Sequence, residues 1–175
     1  SGSTKVLKTM NRKHSIKEYH EIIDSLKKAK PNIKFSSDFI IGYPGETDLD
    51  FQETLDLIEK ISFINSYSFI FSARPGTPAA KLTISDPIVA KKRLIKLQKV
   101  LEIINIQNKK NLLNQSIEVL FENKMKNQTK YFGRDKFLNS VVVESKENIA
   151  GQILNVKIND YNHNSLFGKI FKNEK

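Results

Sequence analysis

The first part of the chain predicts one amphipathic helix followed by one buried strand. Ser15 and Glu18 form a capping-box pattern, which marks a helix start. Behind them an apolar stripe repeats at helical spacing: Ile16, Tyr19, Ile22, Ile23 and Leu26. Pro31 ends this helix, because proline has no backbone N–H to continue it. The apolar run 33–41 then predicts a strand, and the glycines and proline of 42–45 predict a turn at its end.

The same order repeats once more. Thr47 and Asp50 predict the start of a second helix, and the apolar run 67–71 predicts a second strand. Alternating helices and strands with short links are typical of a parallel sheet wrapped by helices. Two such units are too few to close a barrel, so we expect the chain to begin within a domain.

A long helix is predicted next. Asp86 and Pro87 supply an N-cap and a first-turn proline, and the apolar spacing continues to about Lys110. Four apolar residues are expected to face the core: Leu94, Leu97, Leu101 and Ile104. The opposite face carries five cations, for which solvation is the first interpretation and RNA contact the alternative: Lys91, Lys92, Arg93, Lys96 and Lys99.

Beyond residue 111 the pattern changes to short strands separated by turns rich in Asn, Lys and Gly. Five strands are predicted: 116–121, 129–132, 139–143, 151–158 and 166–171. Five short strands in about 60 residues predict a small Greek-key or OB-like barrel. The expected fold class is therefore α/β plus all-β, with one domain over 1–110 and a second over 111–175.

Composition narrows the classes of partner. The net charge of +10 and the pI of about 9.6 favour a polyanion, although drift in an AT-biased genome is an alternative source of lysine. No apolar run approaches the roughly 20 residues that a membrane helix needs. The chain has no cysteine, which excludes disulfides and thiolate ligands in this segment and is typical of a cytoplasmic protein. His14, His20 and His163 lack the spacing of a metal site.

Two Gly/Pro loops follow the two predicted strands, at 42–46 and 74–78. Ligands of parallel sheets bind at the carboxyl ends of the strands, where both loops are expected. Arg74 is a candidate for binding a carboxylate or phosphate there, with a capping or surface arginine as the alternative.

In the β-rich part, aromatic residues alternate with cations. Tyr131, Phe132 and Phe137 flank Arg134 and Lys136. Single-stranded RNA loops are bound by stacking on aromatic faces and by neutralising phosphates. Tyr131, Arg134 and Lys136 are therefore candidate RNA-binding residues, while a place in the barrel core is the alternative for each aromatic.

Several segments, in order, resemble the radical S-adenosylmethionine (SAM) methylthiotransferases: SGST at 1–4, LKTMNR at 7–12, DFIIGYPGET at 38–47 and FSARPGTPAA at 71–80. Segments 133–135, 141–143 and 149–152 resemble the TRAM domain that ends these enzymes. The resemblance covers essentially the whole chain. Its nearest branch methylthiolates an isopentenylated adenosine beside the anticodon of tRNA.

The resemblance implies the C-terminal part of a radical-SAM (β/α) barrel followed by a five-stranded, OB-like TRAM barrel. It implies SAM and two 4Fe-4S clusters in the parent protein, with the cluster cysteines outside this segment. We therefore expect truncation, no catalytic residue or metal site in this segment, no cofactor bound to it and no activity of the segment alone. The partner implied is the tRNA anticodon stem-loop, bound by a cytoplasmic monomer.

The resemblance also implies roles for single residues. Positions expected near SAM are Ser1, Ser3, Arg12, Asp38, Ile41, Gly42 and Glu46, and Arg74 is expected to face the substrate cavity. Asp38 and Glu46 are expected to support the loop after the strand or to bond polar groups, with an internal polar group of the strand and a carboxylate at the helix start as the alternatives. Three alternatives stay open: a relative acting on threonylcarbamoyladenosine, a relative acting on a ribosomal-protein aspartate, and an RNA-binding module without chemistry. Arg74 with Pro75, and the segment 10–12, favour a tRNA enzyme over the ribosomal-protein enzyme.

Overall fold

The chain folds into two compact units, residues 1–105 and 106–175. The structure, a computed structural model, describes residues 1–126 and 128–171. Four helices and two strands come first in the chain: α1 (Thr4–Thr9), α2 (Ile16–Ala29), β1 (Asp38–Ile41), α3 (Asp48–Ile61), β2 (Tyr67–Ile70) and α4 (Pro87–Lys110). A single 3-10 turn, Pro78–Lys81, lies between β2 and α4. No helix among the described residues is long and apolar enough to cross a membrane.

The helix starts follow the capping signals of the sequence. The hydroxyls of Ser15 and Thr47 each accept a hydrogen bond from the backbone amide three residues later, at 3.2 Å. The carboxylates of Glu18 and Asp50 accept the Ser15 and Thr47 amides in return, which completes two capping boxes. Asp86 accepts a hydrogen bond from the Ile88 amide at 2.7 Å and so caps α4. Helix α1 was not predicted, because six residues are too few to show an apolar period.

Strands β1 and β2 form a parallel, two-stranded sheet in which Phe39 faces Ser68 and Ile40 faces Phe69 across the ladder. Phe39 and Ile41 point to the helix-covered side and are 1% and 0% exposed, whereas Phe69 on the opposite side is 53% exposed. The predicted strand over 33–41 was too long. Phe35 and Ser37 accept only isolated backbone bonds, from Ile64 and Tyr67, so no ladder forms before Asp38.

The core of the first unit lies between this sheet and its helices. Its largest fully buried members are Phe39, Phe63, Ile41, Ile58 and Leu97. Leu97 belongs to α4, and the partly buried Leu94, Leu101 and Ile104 pack against the same cluster. The predicted inner face of the long helix is therefore confirmed.

The second unit contains five strands: β3 (Ser116–Lys124), β4 (Lys130–Asp135), β5 (Ser140–Glu144), β6 (Ile153–Tyr161) and β7 (Leu166–Ile170). They close into a barrel in the order β3-β4-β5-β7-β6, and only the β5–β7 pair is parallel. The predicted five-stranded barrel is confirmed. Its interior is filled by alternate residues of each strand, among them Val119, Phe121, Val141, Ile158 and Leu166.

Candidate functional site

A cavity of about 570 Å³ opens at the carboxyl ends of β1 and β2. It is lined by residues from the segment after α1, from both strands and from the loops that follow them: Met10, Arg12, Ile40, Tyr43, Phe69, Ile70, Phe71, Ser72, Arg74, Thr77 and Ala79. Arg12 and Arg74, two of the predicted site residues, meet here, and both are exposed. The sheet thus brings together two cations that are far apart in the sequence.

The floor of this cavity is apolar and partly aromatic. Ile40 and Phe69 are ladder partners on the open face of the sheet. The rings of Tyr43 and Phe71 pack edge to face with centroids 4.9 Å apart, and the Tyr43 hydroxyl donates to the Thr9 carbonyl at 2.9 Å. An apolar floor beneath two arginines fits a ligand that combines a flat or apolar body with an anionic group.

The loop after β1 is held by its own backbone and by α4. Gly42 and Gly45 have positive φ angles of 70° and 82°, which disfavour any residue with a side chain. A Cβ on Gly42 would also lie 2.7 Å from the Cβ of Ala90 on α4. This packing is sufficient to require glycine at position 42 without any ligand.

Arg93 corrects one prediction, because it does not share the solvated face of α4. Its guanidinium is buried and donates from Nη1 to the Glu46 carboxylate at 2.8 Å and to the Glu46 carbonyl at 3.1 Å. Nη2 donates to Asp48 at 2.7 Å. Burial disfavours the charge, but the bonds to Asp48 and Glu46 outweigh it and raise the pKa of Arg93. No sequence signal distinguished this arginine from its basic neighbours.

Glu46 is part of the same buried arrangement. Its side chain is 0% exposed, and Oε2 also accepts the Gly42 amide at 2.9 Å. Oε1 has no hydrogen-bond partner among the described residues. Glu46 therefore links the end of β1 to α4 and does not line the strand-end cavity.

The N-terminal segment packs on the first turns of α3. Ser3 donates to the Asp50 carboxylate at 2.7 Å, and the Gly2 amide donates to the Thr54 hydroxyl at 2.9 Å. Lys5 also binds Asp50, at 2.9 Å. Burial raises the pKa of Asp50, but the hydrogen bonds from Thr47, Ser3 and Lys5 outweigh it, so the pKa lies well below its usual range.

The other residues predicted near SAM lie beside α3 or on β1. Ser1 lies beside Thr54, with the two hydroxyl oxygens 3.4 Å apart. Ile41 is in the core, and its carbonyl accepts the Phe71 amide at 2.8 Å. Asp38 is exposed at the opposite end of β1 from the cavity. Their contact with SAM stays a prediction. Ile40, Tyr43 and Phe69, which line the cavity, were not among the candidates, although Ile40 and Tyr43 lie inside the motif at 38–47.

The candidate RNA-binding residues of the barrel lie on β4 and just after it. Arg134 is exposed, pairs with Glu122 at 3.0 Å and lies over the Phe132 ring, 5.4 Å from its centroid. The Lys136 ammonium is 5.3 Å from the centroid of Phe137. Tyr131 is 3% exposed inside the barrel, where its ring offers no face to a base. Side chains alternate along a strand, so Phe132 takes the outward place instead.

Comparison with known proteins gives a consistent set of relatives. Residues 1–58 match the Radical SAM superfamily. A tRNA-2-methylthio-N(6)-dimethylallyladenosine synthase of Pelagibacter ubique is 50% identical over 175 residues, which is 100% of this chain and 39% of that protein. The synthase of the same name from Wolbachia pipientis wMel is 42% identical over 174 residues, 98% of this chain and 40% of that protein.

A third such synthase, from Rickettsia akari, is 41% identical over 172 residues, 97% of this chain and 39% of that protein. The resemblance to the tRNA methylthiotransferases is confirmed. The chain spans about two fifths of the length of these methylthiotransferases and matches their C-terminal region.

The residues of this methylthiotransferase-like segment do not fit an iron–sulfur cluster. The chain contains no cysteine, and the described residues include no group of His, Asp and Glu side chains that could hold a metal ion. What the segment offers is the strand-end cavity with its two arginines and the basic, aromatic surface of the barrel.

Proposed function

We propose that this chain is the C-terminal part of a radical-SAM tRNA methylthiotransferase. Residues 1–110 form part of the SAM (β/α) barrel, and residues 111–175 form a TRAM domain that binds RNA. The whole protein adds a methylthio group to C2 of an isopentenylated adenosine beside the anticodon. The observation that carries this proposal is the match of nearly the whole chain, at 41–50% identity, to relatives whose names specify that nucleoside.

The open face of the two-stranded sheet supports the barrel assignment. Parallel sheets are covered on both faces, yet Ile40 and Phe69 face a cavity instead of a packed layer. Further strands of the same barrel cover this face in the whole protein. The iron–sulfur clusters are held by residues outside this chain.

The strand-end cavity supports a SAM or substrate site. SAM carries a carboxylate and a flat adenine, and bound SAM supplies the radical and the methyl group of the reaction. Arg12 binds the carboxylate, Arg74 faces the substrate, and Ile40 and Phe69 exclude water from the cavity floor. Glu46 and Arg93 act only by holding the strand-end loop in place.

The barrel supplies tRNA binding for a cytoplasmic, monomeric enzyme. The chain has a net charge of +10, and Arg134 and Lys136 project from the barrel beside aromatic rings. The partner is the anticodon stem-loop.

The first experiment measures how this chain binds an anticodon stem-loop RNA as the salt concentration rises. Affinity should fall steeply with salt, and Arg134→Ala should weaken binding and reduce the log–log salt slope by about 1. Lys28→Ala, an exposed cation on α2, is the matched control and should leave binding unchanged. Binding that is absent or independent of salt would contradict the RNA-binding assignment.

The second experiment tests the reaction in the whole protein that contains this chain. Expressed in cells that lack the modification, it should produce the methylthio form of the isopentenylated adenosine, detected by mass spectrometry of digested tRNA. Arg12→Ala and Arg74→Ala should each lower the yield, because each removes a cation from the cavity rim. A methylthio group found only on threonylcarbamoyladenosine or on a ribosomal-protein aspartate would replace this substrate with one of the alternatives.

A further inference from the structure

Strand β4 presents a regular row of cations and one aromatic ring on its outer side. Along β4 the inward positions are Tyr131, Gly133 and Asp135, which are buried. The alternate positions point outward: Lys130, Phe132 and Arg134. The Phe132 ring thus lies between two cations, and the guanidinium of Arg134 is 5.4 Å from its centroid.

The outward row continues across the next two strands. Phe132 is the ladder partner of Val142 on β5, and Val142 is the partner of Phe167 on β7. None of the three belongs to the cluster of side chains that fills the barrel interior, whereas their strand neighbours Tyr131, Val141 and Leu166 do. Val142 is only 8% exposed although it points outward, and the partly exposed Phe132 and Phe167 lie on either side of it. We call Phe132, Val142 and Phe167 the outer apolar row.

A basic hairpin borders this row. An open cavity of about 920 Å³ where β3 ends and β4 begins is lined by Lys124, Lys126 and Lys130, together with Glu144. Lys130 lies two residues before Phe132 on the same side of β4, about 6–7 Å along the strand. Positive charge therefore adjoins the apolar row at the hairpin and again at Arg134.

The position of this surface within the barrel indicates its partner. The order β3-β4-β5-β7-β6 places β4 and β5 as the second and third strands of an OB-type barrel. Barrels of this type bind oligonucleotides on the second and third strands and on the loop between the first two. Here those elements are the ones that carry the outer apolar row and the basic hairpin.

We propose that the outer apolar row stacks unpaired bases of an RNA loop, while Lys130 and the basic hairpin hold the adjoining phosphates. This rests on the proposed function, because it requires that the barrel bind RNA. Phenylalanine makes no hydrogen bonds to base edges, so the stacking tolerates any base. The Arg134 guanidinium extends the row, since bases also stack on guanidinium planes.

The test compares two RNAs by fluorescence anisotropy: an anticodon stem-loop and the same stem with abasic loop nucleotides. Phe132→Leu and Phe167→Leu should each raise the Kd for the intact loop about 5- to 100-fold. They should leave the Kd for the abasic RNA within about twofold. Phe132→Tyr should restore binding, because it keeps the ring. Ile153→Ala, an exposed apolar residue on β6, is the matched control.

A second measurement uses the unaltered chain and so does not depend on how any variant folds. The Val142 methyl resonances should move on addition of the intact stem-loop, because a stacked base adds a ring current above them. They should stay in place when the abasic RNA is added.

The outcomes separate this proposal from the one on which it rests. RNA binding that depends on salt and Arg134, with no effect of either phenylalanine and no Val142 shift, overturns the stacking row and leaves RNA binding intact. Equal losses on both RNAs also overturn it, because the bases are then not involved. The stacking proposal is also overturned if the chain self-associates and Phe132→Leu abolishes that self-association without changing the affinity for RNA. A chain that binds neither RNA overturns both proposals.

Discussion

The two units of this protein bury their apolar residues in different ways. The barrel closes on itself, so every strand has two neighbours and one face inside. The α/β unit covers one face of a two-stranded sheet with helices and leaves the other open, with Phe69 53% exposed. The same residue type therefore has two roles: Phe121 fills a closed core, and Phe69 lines a cavity. An open parallel sheet indicates where another surface binds. The interior of this barrel is filled by side chains, so its partners bind on the outside.

The units also differ in how they stabilise a buried acid. In the barrel, Asp135 accepts bonds from the amides of Phe137 and Asn139 at 2.8 and 2.9 Å, all within one turn. In the α/β unit, Glu46 is bound by Arg93, 47 residues away. A local turn forms wherever the chain has the right residues, whereas the Glu46–Arg93 pair forms only when α4 has docked.

The largest expected effect comes from a substitution in the closed core of the barrel. Phe121→Ala should lower the free energy of unfolding of the barrel by about 3–5 kcal/mol, because Phe121 is 0% exposed and leaves a cavity. Denaturant unfolding followed by methyl NMR resolves the two units. Comparable destabilisation of the α/β unit would show that the two do not unfold separately.

The next effect tests the long-range pair. Arg93→Ala should cost the α/β unit about 3 kcal/mol, because it leaves the Glu46 carboxylate buried without its cation. The double variant Arg93→Met with Glu46→Gln should recover much of this loss. If Arg93→Ala alone unfolds at the same denaturant concentration as the unaltered chain, the pair contributes nothing to stability.

A smaller effect follows from Asp50. Its pKa is lower in the folded state than in the unfolded chain, so its ionised form stabilises the fold. That stability is fully present above about pH 4, the unfolded value, and is lost as pH falls towards the folded pKa. Asp50→Asn should lower the free energy of unfolding at pH 7 by roughly 1–2 kcal/mol. It should also make the free energy of unfolding fall less steeply as the pH is lowered below about 4. If the variant loses stability at acidic pH as steeply as the unaltered chain does, other groups cause the pH dependence.

The smallest effect concerns the open face of the sheet. Phe69→Ala should change the stability of the α/β unit by only about 0.5 kcal/mol, because half of its surface is already exposed. Phe39→Ala, on the covered face of the same sheet, is the matched comparison and should cost about 3–5 kcal/mol. Equal losses would mean that Phe69 is as well packed as Phe39, against the structure.

Local signals in the sequence, such as helix caps and turn residues, predicted the structure most reliably. Ser15, Thr47 and Asp86 each cap a helix as predicted, because a cap depends on residues within one turn. The five barrel strands were found because turn residues separate short apolar runs. The short helix α1 was missed, and the strand over 33–41 was overextended, because neither has a complete periodic pattern.

The candidate site was less predictable. Arg12 and Arg74 were named and do line one cavity, but Arg93 and Phe69 were missed. Tyr131 and Phe132 are adjacent, and only the direction of β4 shows which ring points outward. A shift of one residue in strand register would exchange their roles.

The sequence by itself determined the order of the elements, the five-stranded barrel and the resemblance to the tRNA methylthiotransferases, because these depend on local periodicity, turns and motifs. Only the tertiary structure decided that Arg93 holds the strand-end loop, that Tyr131 is buried while Phe132 is not, and that Phe132, Val142 and Phe167 share one row. These relations join residues through space across strands and helices. The sequence of a single helix or strand does not show which distant residues it contacts.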